Sequence, residues 1–186
     1  MTTTTAPSRR GLARPLGILL AGAAVALALG AYGRLHQPTG TALSTLGFSG
    51  ALQMKAWLTT AALGFGLAQL ATALRLYGRV GRGPAPAWVG PLHRWSGATA
   101  FVLSVPVALH CLWALGYQTA DLRVALHSLL GCAFYGAFAA KMLALRDREA
   151  PRWLLPVLGS LLLTVLAGLW LTASLWFFSA SGAPLL

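Results

Sequence analysis

Acidic residues are almost missing from this chain: 3 Asp and Glu stand against 14 Lys and Arg in 186 residues. Charged residues of both signs reach only 9%, where a soluble domain carries roughly a quarter. That scarcity excludes an ordinary water-facing fold. No Asp or Glu falls inside an apolar run, which argues against a carboxylate proton relay through a membrane. Cysteine is equally sparse. Cys111 and Cys132 lie within apolar runs, and no CxxC or Cys/His metal spacing exists. They read as small buried apolar residues and say nothing of redox compartment. No nucleophile is accompanied by a base in the manner of a stand-alone hydrolase. The glycines of RLYGRVGRGPAPAWVG lack the spacing of a phosphate loop.

What is present is apolar length. Hydrophobic residues make up 57% of the chain, and mean hydropathy is +0.69. This is the composition of a polytopic membrane protein in a lipid bilayer. The net charge of +11 does not indicate nucleic acid, because the arginines sit between spanning-length runs and not along one face.

The fold expected is all-α, a bundle of about five transmembrane helices. Residues 1–14 read as a disordered cytoplasmic tail, 15–178 as the transmembrane domain and 179–186 as a short C-terminal tail. Ser8-Arg9-Arg10 ahead of an apolar run is faintly similar to a twin-arginine signal, with Ala26-Leu27-Ala28 as a cleavage motif. The run is long enough to span and more spans follow, so a first membrane helix over 15–33 is the simpler reading. Further helices are expected over 51–77, 88–116, 124–145 and 153–178, with Pro106 as a possible kink. Lys55 should snorkel to the interface, Gly64 and Gly66 should permit close packing, and Gln69 should bond a neighbouring helix. Arg9, Arg10, Arg14, Arg75, Arg79, Arg82, Arg94, Lys141, Arg146, Arg148 and Arg152 fall on one side of such a bundle. Only Arg34, Lys55 and Arg123 fall on the other. The positive-inside rule then puts the N-terminus in the cytoplasm and the C-terminus outside.

Candidate chemistry lies between Pro91 and Lys141. His93, His110 and His127 follow one another at intervals of seventeen residues. Along one helix that interval advances about 25 Å and leaves the two side chains about 100° apart. His93 and His110 therefore differ in depth and face. His110 and His127 lie on consecutive antiparallel helices at similar depth, and can face each other as axial ligands of a six-coordinate heme b. Ser128, Gly131 and Cys132 follow His127, and Gly131 leaves room for a flat macrocycle one turn along. Packed helices stand only about 8–10 Å apart, so these two would have to splay. Histidines that merely hydrogen-bond between helices, a metal other than heme iron, and a proton relay remain open. Two His without Asp, Glu or Cys make a poor zinc site. His36, at a helix end, reads as a solvated interfacial residue.

His93 opens the stretch LHRWSG with Arg94, Trp95 and Ser96. One reading is an interfacial anchor, with Trp95 in the aromatic belt. Another is a quinone pocket, in which His93, Arg94 and Ser96 bond a quinone carbonyl. A third is a second heme with Met142 opposite.

The histidine-bearing helices resemble the cytochrome b-561 class, which holds b-type heme between paired histidines and moves electrons across membranes. That class carries histidines on four helices and two hemes; only His110 and His127 carry over here, as one pair. LHRWSG is similar to the His-Arg-x-Ser-Gly stretch of the succinate dehydrogenase cytochrome b subunit, which implies quinone-site roles for Arg94 and Ser96. HSLLGCAFYGAFAAKML and GLWLTASLWFF resemble a family of uncharacterised actinobacterial membrane proteins, implying a bacterial plasma membrane. The expected function is a b-type cytochrome-like protein passing electrons between a quinol and a redox partner subunit. The alternative is a cofactor-free anchor or assembly subunit of a larger membrane complex.

Overall fold

The computed structural model describes residues 9–181. Among them the regular elements are all helices, and five are long and apolar enough to cross a membrane. Apolar side chains are compatible with lipid only if the backbone satisfies its own polar groups, which a helix does along its whole length. The elements are α1 (Arg9–Leu35), α2 (Ala51–Leu76), α3 (Val89–His110), α4 (Leu122–Arg146), α5 (Leu154–Leu169) and α6 (Trp176–Ser181). α3 runs on into a π turn over Cys111–Leu115, and α5 joins α6 through another over Trp170–Leu175.

The first helix starts at Arg9, six residues before the expected Pro15, and takes that proline into its interior. Its early turns are held by Arg14, which pairs with Glu149 and stands 3.9 Å from Asp147 in the loop after α4. Residues 1–8 of the expected tail and 182–186 at the other end lie outside the described residues. α4 begins at a true cap, where the Asp121 carboxylate accepts from Val124 N at 2.8 Å. Pro106 sits inside α3 without ending it, and the helix changes its winding only five residues later, at Cys111.

Neighbours in sequence are not always neighbours in space. α2 packs on α3, α1 on α4, and α4 and α2 both pack on the α5 region. The closest crossing is α1 against α4. A Cβ on Gly22 would stand 2.6 Å from the Gly136 carbonyl oxygen and 2.8 Å from Ala140 Cβ. A Cβ on Gly136 would stand 2.5 Å from the Gly22 oxygen and 2.9 Å from Ala26 Cβ. Two small-xxx-small pairs, Gly22/Ala26 and Gly136/Ala140, thus let the backbones touch. Of the α2 glycines, Gly66 packs under Leu163 and Leu166 of α5, whereas Gly64 meets nothing.

α3 and α4, by contrast, are held apart. They meet through long side chains: Phe101 stacks on Phe138 at 3.9 Å, and Ser104 Oγ lies 2.9 Å from the Tyr135 hydroxyl. Beyond Tyr135, toward the π turns, the separation opens into a cavity.

Candidate functional site

The cavity measures about 280 Å³, close to the lower limit of ordinary ligand pockets, about 300 Å³. Its walls come from every spanning helix: Leu29 of α1, Thr59 and Ala62 of α2, Ser104 and Val107 of α3, His127 of α4 and Leu166 of α5. Both π turns contribute, through Cys111 and Leu112 on one side and Thr172 and Ala173 on the other. π turns inside α-helices concentrate at functional sites, because the extra residue shifts side chains and loosens the backbone ladder.

His127 is the histidine on this wall. Its Nδ1 lies 3.0 Å from Thr172 Oγ1. The Thr172 hydroxyl donates its single hydrogen back to the Gly168 carbonyl at 2.8 Å. It therefore meets the imidazole as an acceptor, and we assign the ring proton to Nδ1. Nε2 is left with a free lone pair. An outer hydrogen bond that fixes the tautomer and orients the ring is the usual support of a metal-binding imidazole. Ser128, Gly131 and Cys132 line the cavity with His127, and a Cβ on Gly131 would meet nothing within 4 Å.

His110 is differently placed. Val89, Ser96, Ala100 and His110 are the buried residues of α3. His110 follows Ser96 by fourteen positions, about 40° short of four full turns, so all share the face turned to α2. Of the α3 residues that line the cavity, Ser104, Ala108 and Cys111 are rotated at least about 100° from His110 and Val107 about 60°. His110 is 8% exposed, and its Nδ1 is buried with no hydrogen-bond partner among the described residues. Such an orphan is unusual, since a buried polar atom without a partner is costly. The His127 side offers an imidazole held through Nδ1, open space at Gly131 and a largely apolar wall. On the other side, the imidazole that lacks a partner is not on the wall.

LHRWSG forms a second cluster at the opposite end of the bundle. His93 Nδ1 lies 2.9 Å from Thr72 Oγ1, which donates to the Ala68 carbonyl at 2.7 Å. This repeats the His127–Thr172 arrangement on another helix pair. Gln69 donates to the His93 carbonyl and to Ser96 Oγ. Ser96 is 2% exposed. His93 and Ser96 therefore belong to a closed network joining α2 to α3, while Arg94 and Trp95 face outward. Of the three expected quinone contacts, Ser96 is buried, His93 is half-buried with Nδ1 on Thr72, and Arg94 is exposed. His36 is half-buried, stacked between Tyr32 and Trp113, and ties the end of α1 to the first π turn.

Sequence reasoning passed over Thr172 and Thr72. A signal existed: a threonine within an apolar helix that returns its proton to the preceding turn offers a bare acceptor to whatever faces it. It also passed over the inward course of Lys55, which was expected at the interface and lines the cavity.

No curated protein and no solved structure matches the chain. A family described as a family of unknown function (DUF6529) matches residues 15–185. The five apolar helices and this match, which spans nearly the whole chain, make it a membrane-spanning helical protein that belongs to the DUF6529 family.

Proposed function

We propose that this protein is a b-type cytochrome-like membrane protein that passes electrons between a quinol and a redox partner. The N-terminus would lie in the cytoplasm and the bilayer would be a bacterial plasma membrane. The observation that carries the reading is the oriented His127. The half-buried imidazole lines an apolar cavity and is held there through Nδ1 by Thr172. When bound, heme supplies reversible one-electron chemistry. The chain supplies the rest. His127 would hold the iron, Thr172 would keep the ring in one tautomer, and Gly131 would leave clearance for a flat body. The apolar walls would exclude water and lower the local dielectric. His110, whose Nδ1 has no hydrogen-bond partner among the described residues, would be the second residue to hold the iron, although it lies off the cavity wall.

The test is a reduced-minus-oxidised absorption spectrum of detergent-purified protein expressed with ample heme. A sharp b-type α band is expected, and it should disappear in His127→Ala. His110→Ala separates two forms of the site. Conversion of a low-spin to a high-spin spectrum identifies His110 as the second ligand, whereas an unchanged spectrum assigns the iron to His127 without it. A colourless, monodisperse wild-type protein overturns the reading and leaves the cofactor-free anchor.

A further inference from the structure

The cavity that holds His127 is apolar along its length but cationic at one end. Lys55 is the fifth residue of α2 and Arg123 the second of α4, so both stand at the end of the bundle where the π turns lie. Both side chains line the cavity, and no acidic residue does so. The two cations are not equivalent. Arg123 is already engaged: Nη1 donates to the Thr172 carbonyl at 2.8 Å, the guanidinium lies 4.4 Å from the Trp176 ring centre, and Nη2 is 4.0 Å from Asp121. Lys55 is half-buried and has no ion pair or hydrogen bond among the described residues. An ammonium at the edge of a membrane cavity, without a carboxylate opposite it, leaves an unbalanced positive field in a region of low dielectric.

We propose that Lys55, supported by Arg123, is the acid-recognition end of this cavity, and that the ligand it takes is a largely apolar molecule bearing a carboxylate. The inference deepens the heme reading, since heme b is an apolar macrocycle with carboxylates on one edge, and it rests on that reading only for the identity of the apolar body. Fatty acids share the same chemistry. Lys55 would form a charge-assisted hydrogen bond to the acid. Arg123, held by Thr172 and Trp176, would add field without moving. Because Thr172 also orients His127, the acid end and the imidazole are attached to the same π turn.

The experiment uses binding without iron, so that ligation at His127 is not what is read. Purified full-length protein in detergent is titrated with protoporphyrin IX and with its dimethyl ester, followed by fluorescence quenching. Palmitate and hexadecanol are then tested as displacers. Wild type should bind an acid at least about ten-fold more tightly than the matching neutral molecule. Lys55→Met should abolish that preference, Lys55→Arg should keep it, and Gly64→Val, on an open face of α2, should leave it unchanged. Acid preference seen with palmitate alone supports the acid end and removes heme as its ligand. Equal binding of acid and ester, together with equal displacement by palmitate and hexadecanol, overturns the proposal, and does so even where the heme spectrum of His127 is intact. Loss of preference in Lys55→Met but also in Lys55→Arg overturns it too, because a charge in the same place should serve.

Discussion

The Nδ1 of His127 and the hydroxyl of Thr172 stand 3.0 Å apart across the α4–α5 boundary, and the hydroxyl's own hydrogen is already given to the turn before it. The pair joins two elements distant in sequence and is the basis for assigning the ring proton to Nδ1. A threonine that would otherwise serve only its own helix becomes the orienting partner of a half-buried imidazole.

Replacing Thr172 by valine keeps the shape and removes the acceptor. Heme retention should fall about 10- to 100-fold, the range for loss of an outer hydrogen bond to a ligating histidine. Thr172→Ser should restore most of it. A heme titration followed at the Soret band measures both. Equal affinity in all three proteins would separate the ring's orientation from the hydroxyl.

Gly131 faces open space on the cavity wall. Gly131→Phe should fill that space and prevent ligand entry while the protein stays monodisperse in size-exclusion chromatography. Gly131→Ala should bind as wild type. If the Phe variant still takes up heme or protoporphyrin, the ligand does not lie against this turn of α4.

The α1–α4 crossing tolerates no side chain at its centre. Gly136→Val forces a methyl-bearing carbon toward the Gly22 carbonyl, and overpacking of this kind costs about 1–3 kcal/mol. A lowered midpoint of thermal unfolding in detergent is expected. Gly64→Val, on an open face of α2, should leave the midpoint near the wild-type value and serves as the control.

Gln69→Leu removes both donations to α3 and leaves Ser96 buried without that partner. Interhelical hydrogen bonds in membranes contribute about 0.6 kcal/mol on average and up to about 1.7, so a loss of about that size is expected. The absorption spectrum should not change, because this network lies at the other end of the bundle from the cavity. A changed spectrum with an unchanged unfolding midpoint would show that His93, and not only His127, reports on the bound group.

The positions of the spans are legible in the amino-acid sequence. Helices expected over 51–77 and 88–116 are found at Ala51–Leu76 and Val89–Leu115, because apolar length and the polar loops between runs depend on local sequence alone. The bond from Gln69 to a neighbouring helix is legible too, since an uncharged amide inside a span has few other ways to be satisfied. The course of Lys55 is not, because a long flexible side chain near a helix end can reach lipid headgroups or a cavity, and the choice depends on neighbours from three other helices.

By itself the sequence determined an all-helical membrane chain, its five spans, and the histidines they carry. The tertiary structure decided which of those histidines share a space. His110 and His127 are equally placed in depth by counting residues, but depth leaves the azimuth of each helix unset. That rotation follows from packing: Ser96, Ala100 and His110 turn toward α2, while Gly22 and Gly136 draw α4 onto α1 and away from α3. Small residues far from the histidines thus set the helix rotations that bring His127, and not His110, to the cavity wall.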